Sequence, residues 1–421
     1  MIILFQLFAV LLLARLVGEL FHRLGLTASV GEIAAGALAA LVGGWAATQF
    51  PDFPDLTQSP VLLQSAEVGI FTLILLAGIE MKPAEILARS WRSIAVALGG
   101  VAVPLTLGFG LMWAALDPGP DRLPLALLTG VALSITALPA SIRVLEDLGL
   151  MGGETARLIL AAALIDDVLG LILLAVILAV ITTGAVPEPW ALGWLLLKVA
   201  AFFAIAIAFG WHIYPHIRRG VALMQAMSVE LSALVMGALF YGALAELLGL
   251  HWILGPFMAG IFFEPERVGD AVYERIRTGV SSLVNGILGP LFFFTIGVSL
   301  DLTALVAAPG LVAALLAVAF AGKLLGAGIP AYAMGLPPRK AAAVGAGMCS
   351  RGAVELVILS IALEAGLVAA AQPANGLPAD PWARHLFSAL VLTAVVTTVA
   401  APLLMRAILK GAEPRADDKM R

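Results

Sequence analysis

Two carboxylates stand side by side, Asp166 and Asp167, inside the apolar run AAALIDDVLGLILLAVILAVI. Charges in hydrocarbon are costly and are kept where they bind or carry something. Between Leu158 and Ile181 lie sixteen Leu, Ile or Val, each favouring insertion by about 0.5 kcal/mol, roughly 8 kcal/mol together, against roughly 6 kcal/mol for two central carboxylates. The segment enters a membrane with its acids aboard. On a wet helix face the same pair would mean little. Neighbours on a helix point about 100° apart, so one acid can pair with a cation of the protein while the other faces a water-filled cavity. Lys323, in VAFAGKLLGAGIPA, is the natural partner by charge and depth. The chemistry such a group supports is the holding and release of protons or a small cation.

Two further segments carry polar residues where helices should break. In LTGVALSITALPASIRVL, Pro139 cannot donate a backbone hydrogen bond and clashes with the carbonyl of Ile135, while Ser134, Thr136 and Ser141 offer oxygens nearby. Unwinding is expected around Thr136 to Pro139. In VGAGMCSRGAVELVIL, there is no proline, but Gly345, Gly347, Gly352 and Ser350 surround Arg351 and Glu355. Interrupted spans at matching places in two halves point to a transport site, because freed carbonyls and half-helix ends can hold an ion. The plainer reading of Pro139 is a packing kink. Arg351 and Glu355, four apart, read first as a pair that neutralises itself and second as ion ligands.

These residues need elements long enough to cross a bilayer, and the composition supplies them. Of 421 residues, 61% are hydrophobic and 12% charged, far from the balance of a soluble domain. The one cysteine, Cys349, excludes an internal disulfide. The N-terminal run MIILFQLFAVLLLARLVGEL has no basic residue ahead of it and is too long for a cleaved signal, so it reads as a span. Cutting at Gly, Pro and charge clusters places spans near 2–21, 28–48, 61–80, 91–115, 122–146, 153–183, 190–215, 226–249, 250–264, 280–300, 308–335, 340–366 and 383–409, about thirteen.

Basic residues test that layout, since cytoplasmic loops should hold them. Of the 24 Lys and Arg, Arg15, Lys198, Lys323 and Arg351 fall inside spans, and only Arg122 and Arg384 fall in one set of alternate loops. The other 18 share the opposite set and the C-terminal tail, which predicts the N-terminus outside and the C-terminus in the cytoplasm. Glu32, Glu67, Glu80 and Asp301 are expected at the interfaces, and Lys198 is expected to snorkel.

An internal repeat accompanies this alternation. GEIAAG at 31–36 recurs as GPFMAG at 255–260; a run ending in Gly78-Ile-Glu-Met recurs as one ending in Gly297-Val-Ser-Leu; Gly130 ahead of SITALPASI answers Gly347 ahead of CSRGAVELVI. The shift is seven spans, an odd number, so the second copy is inverted. Inverted repeats mark secondary transporters, with sites near the midplane.

Taken in order, GEIAAG, LLAGIE, TALPASIRVL, LIDDVLGLI, GPFMAGI, PLFFFTIGVSLDL, GKLLGAGIPA and RGAVEL resemble the sodium/proton exchanger domain of the monovalent cation/proton antiporter superfamily, on the Nap/Kef-like branch, over roughly residues 5–410. The resemblance implies an all-α inverted-repeat antiporter with two crossing interrupted helices, forming a homodimer in a bacterial inner membrane. It implies a mobile core near 61–183 and 280–366 and a dimerisation scaffold near 2–48, 190–264 and 383–409, with a short tail at 410–421. Asp167 matches the family's ion and proton carboxylate, Asp166 the preceding acid of electrogenic members, Lys323 the lysine that pairs with it, and Thr136 lies in the unwound segment. Ser134, Arg351 and Glu355 are supporting candidates. Kef systems carry glutamine for the first acid and a cytosolic regulatory domain, whereas this chain has Asp166 and stops soon after its last span. Where some sodium antiporters read RGEV, this chain reads RGAVE.

The resulting expectation is exchange of Na+ or Li+ for H+ by competition at the Asp pair, electrogenic and serving pH homeostasis, with no cofactor beyond the transported ions, no nucleic-acid partner and no enzymatic reaction. A K+/H+ antiporter is the closest alternative. An intramembrane aspartyl protease needs two aspartates on facing helices, in YD and GxGD motifs that do not occur here. A channel would need no proton coupling.

Overall fold

The computed structural model describes residues 2–24, 26–49, 60–80, 91–136, 141, 145, 150, 153–183, 189–212, 228–300, 304–364, 367 and 381–409. The elements in chain order are α1 (Ile2–Arg23), α2 (Ala28–Gln49), α3 (Pro60–Glu80), α4 (Trp91–Ala115), α5 (Arg122–Ser134), α6 (Glu154–Thr183), α7 (Pro189–His212), α8 (Val229–Leu247), α9 (Leu254–Phe262), α10 (Pro265–Val268), α11 (Asp270–Leu283), a π-helical turn (Val284–Leu288), α12 (Gly289–Val298), α13 (Ala304–Ala307), α14 (Pro309–Ala333), α15 (Pro338–Gly347), α16 (Ala353–Glu364) and α17 (Pro381–Leu409). Among the described residues every regular element is helical. Among the described residues the expected spans fall on helices or helix pairs, the span expected at 122–146 being described as a helix only over Arg122–Ser134. Seven helical stretches among the described residues are long and apolar enough to cross a membrane, among them Pro60–Glu80, Trp91–Ala115 and Pro309–Ala333, and shorter apolar helices accompany them.

One boundary differs from expectation. The span expected at 280–300 begins at Asp270 and runs through α11, the π turn and α12 as one stretch. Its polar first part was mistaken for a loop because α11 is amphipathic, burying only Tyr273, Ile276 and Val280. The Tyr273 hydroxyl donates to the Ile79 carbonyl at 3.0 Å, satisfying an end of α3. The π turn precedes Pro290, whose missing N–H and ring cannot follow a regular helix, and the extra residue per turn relieves the clash.

The chain forms two compact units, Met1–Pro83 with Leu178–Leu300, and Ala84–Ile177 with Asp301–Arg421. In the first, the repeated glycines meet across the copies. A Cβ on Gly36 would collide with the Phe294 carbonyl and lie 2.9 Å from the Gly297 Cα; a Cβ on Gly78 would collide with the Phe257 carbonyl and lie 3.0 Å from the Gly260 Cα. Gly36 corresponds to Gly260 and Gly78 to Gly297, so the α2–α12 and α3–α9 crossings are one contact made twice. Such reciprocity is what a pseudo-two-fold relation between copies produces.

In the second unit α4 crosses its own counterpart, α14. A Cβ on Gly99 or on Gly326 would collide with the other's carbonyl, and one on Gly322 would lie 2.7 Å from the Pro104 Cβ. Around this crossing Val96, Ala97, Ala156, Ile159, Ala162, Ala163, Ala327, Ala343, Ala346, Met348 and Met405 make one apolar cluster. These units group by packing, whereas the expected core and scaffold are a division by motion. Helix α3 packs in the first unit with α9 and α12, and α17 packs in the second with α14 and α15.

Candidate functional site

Both expected breaks lie in the second unit. Helix α5 stops at Ser134, and Ile135 is extended at φ −79°, ψ 146°. Pro139 lies outside the described residues, so the first break is described through Thr136. The second break is complete: α15 ends at Gly347, α16 starts at Ala353, and residues 348–352 are not helical.

A broken helix leaves carbonyls without partners, and in a membrane the protein must satisfy them itself. At the first break Arg351 Nη2 donates to the Leu133 carbonyl at 2.6 Å. At the second, the Ser141 hydroxyl donates to the Gly347 carbonyl at 2.5 Å and lies 3.3 Å from the Ser350 hydroxyl. Thr398 of α17 donates to the Arg351 carbonyl at 2.5 Å. Each break is thus closed by side chains from the other or from a neighbouring helix. Ser134, an expected supporting residue, instead turns its hydroxyl back on the Val131 carbonyl at 2.8 Å.

Asp166 reaches the first break because of the face it occupies. Ala156, Ile159 and Ala163 of α6 pack in the apolar cluster, and residues three or four apart share a face, which continues through Asp166 to Gly170. A Cβ on Gly170 would lie 3.2 Å from the Ile135 side chain. Asp166 is fully buried. The Lys323 ammonium lies 3.2 Å from its Oδ2 and 3.4 Å from its Oδ1, and donates to the Thr136 hydroxyl at 2.7 Å. Lys323 is fully buried too, carried inward by the crossing that presses Gly322 and Gly326 onto α4. A buried ion pair is sustained only where the remaining donors and acceptors are met, and here the Thr136 hydroxyl accepts from the ammonium.

Asp167 occupies the next position of α6, within the described helix; its side chain lies outside the described residues. Arg351 and Glu355 are both buried, with Nε 3.3 Å from Glu355 Oε2. Arg351 sits at the carbonyl end of α5 and Glu355 in the first turn of α16, the ends of the helix dipoles that favour a cation and an anion respectively.

Two features escaped sequence reading. Glu32, expected at an interface, is 3% exposed within α2, with Arg15 of α1 at 3.7 Å. Arg15 also donates to the Asn285 carbonyl in the π turn at 3.1 Å. Both residues were visible as charges in apolar runs, but α1 and α2 had to be packed before they could be paired. The bond from Ser141 to Gly347 was equally invisible, because it joins positions more than two hundred residues apart.

The whole chain can be compared with known proteins. It is 30% identical over 405 residues to the Na(+)/H(+)-K(+) antiporter GerN of Bacillus cereus, covering 96% of this chain and 95% of that one. It is 28% identical over 424 residues to the Na(+)/H(+) antiporter NhaS4 of Synechocystis sp., covering 96% and 97%. The solved structure of the sodium proton antiporter MjNhaP1 from Methanocaldococcus jannaschii at pH 8 superposes with a TM-score of 0.69 at 16% identity, over 98% of this chain and 97% of that one, a likeness of fold. The model of the family described as sodium/hydrogen exchanger, transmembrane, matches residues 8–411. The chain belongs to the transmembrane sodium/hydrogen exchanger family.

Proposed function

We propose that this protein is a secondary antiporter that exchanges Na+ or Li+ for H+ across a bacterial cell membrane, electrogenically, with Asp167 and Asp166 as the acids that hold either protons or the cation. The observation that carries this reading is the buried group of Asp166, Lys323 and Thr136 at a broken helix, with Asp167 next in sequence. In the proton-loaded state Lys323 balances the Asp166 charge and Asp167 carries a proton. An arriving cation takes the place of the ammonium beside Asp166; Lys323 and Asp167 each give up a proton, and Thr136 keeps hold of the lysine nitrogen. Buried lysines can serve in this way because their charge is easily altered by their surroundings. Two protons leave for each Na+ bound, so one net charge crosses per cycle. Motion of a core against a scaffold within a homodimer would expose the group to each side in turn, with the N-terminus outside and the C-terminus in the cytoplasm.

K+ is the second candidate cargo, since the relative GerN of Bacillus cereus is a Na(+)/H(+)-K(+) antiporter and both ions take oxygen ligands. The deciding experiment is proteoliposome exchange with Na+, Li+ and K+ in turn, with the membrane potential free or clamped. Electrogenic exchange responds to the clamp and saturates with the cation. Asp167→Asn should abolish it, and vesicles of that variant that still move protons against a cation gradient would refute the assignment.

A further inference from the structure

The Arg351–Glu355 pair is buried, and its bonding is one-sided. Arg351 Nη2 has a short bond to the Leu133 carbonyl, while Nε, Nη1 and both Glu355 oxygens make no hydrogen bond among the described residues, despite the 3.3 Å approach of Nε to Oε2. The guanidinium is therefore aimed at the end of α5 rather than at its acid. Leu133 is three residues before Thr136, the residue whose hydroxyl accepts from Lys323 beside Asp166. Arg351 is thus bound to the end of α5, and the chain from there leads within three residues to the Lys323–Asp166 pair. The Arg351 backbone is pinned from a third side by Thr398.

We propose that Arg351 and Glu355 are positioning residues for the exchange site: Arg351 fixes where α5 ends, and so where Thr136 meets Lys323, while Glu355, 3.3 Å from Nε, balances the guanidinium charge. This rests on the site proposed above. A self-neutralising pair would be replaceable by any apolar pair of similar length, since buried ion pairs exchanged for well-packed apolar residues are often neutral in stability. A positioning pair would not be replaceable in function.

The test compares wild type, the double variant Arg351→Met/Glu355→Met and the single variant Arg351→Lys in proteoliposomes, reading the Na+ concentration for half-maximal exchange, the maximal rate and the melting temperature in detergent. The double variant leaves the Leu133 carbonyl unmet and should melt below wild type while still folding, and its half-maximal Na+ concentration should rise about tenfold, the effect of losing one charged hydrogen bond at the site, with the maximal rate changed less. A double variant with wild-type Na+ dependence would overturn the proposal. If that variant does not fold, Arg351→Lys decides. It keeps the charge beside Glu355 but not the Nη2 that reaches the Leu133 carbonyl, so its Na+ dependence should shift severalfold, and an unchanged value would overturn the proposal. Wild-type protein that couples no cation to proton movement would overturn the exchange reading together with this one, whereas wild-type exchange with unmoved variants overturns this one alone.

Discussion

The two compact units are built from the same repeated helices and put them to opposite uses. In the first, the repeat supplies glycines, and Gly36 against Gly297 and Gly78 against Gly260 bring continuous helices into backbone contact. In the second, the repeat supplies interruptions, at Ile135–Thr136 and at 348–352, and the interior gains Asp166, Lys323, Arg351 and Glu355. An unbroken helix satisfies its own backbone and offers nothing polar to its surroundings; a broken one exposes carbonyls and N–H groups that must be met by side chains. Packing without interruption makes a frame. Interruption brings charges inside and gives them partners.

That contrast can be attacked from either side. Asp166→Asn should have the largest effect, because it leaves Lys323 buried without its acid. A loss of about 3–5 kcal/mol of stability is expected, read as a fall in melting temperature, together with loss of electrogenic exchange. Adding Lys323→Met should recover most of the stability and none of the electrogenic current, and full recovery of both would erase the functional difference between the units. Gly78→Val, in the first unit, should cost about 1–3 kcal/mol through overpacking against α9, while the protein that folds keeps wild-type Na+ dependence. A shifted Na+ dependence there would show that the frame tunes the site directly.

Thr136→Val comes next. It removes the hydroxyl between Lys323 and Asp166 and should weaken cation dependence about tenfold, as expected for one buried hydrogen bond near charge, as measured by Na+ titration of exchange. Glu32→Gln should have the smallest effect. Its partner Arg15 is half exposed, and such pairs contribute under about 1 kcal/mol. Melting temperature should move by a few degrees at most and exchange should be unaltered, so a lost current would place an ion path in the first unit as well.

Much of this was legible in the chain before any coordinates. Spans follow from runs of Leu, Ile, Val and Ala cut by Gly, Pro and charge, and the acids declared themselves because carboxylates in such runs are costly. The breaks were visible as Pro139 in one case and as Gly345, Gly347 and Gly352 around Arg351 in the other, because each residue acts on its own backbone. The amphipathic start of the 270–298 stretch was not legible as membrane helix, since half its residues are polar and only the buried face of Tyr273, Ile276 and Val280 marks it.

The sequence by itself determined which segments enter the membrane, that two copies of one plan are present, and which charges travel with them, since each of these depends on the residue's own chemistry or on its near neighbours. Only the tertiary structure decided who meets whom: Asp166 with Lys323 over Thr136, Arg351 with the Leu133 carbonyl, Ser141 with Gly347, and Glu32 with Arg15. Those partners are far apart along the chain, and hydrogen bonds act over about 3 Å, so nothing but the close crossing of helices can choose them.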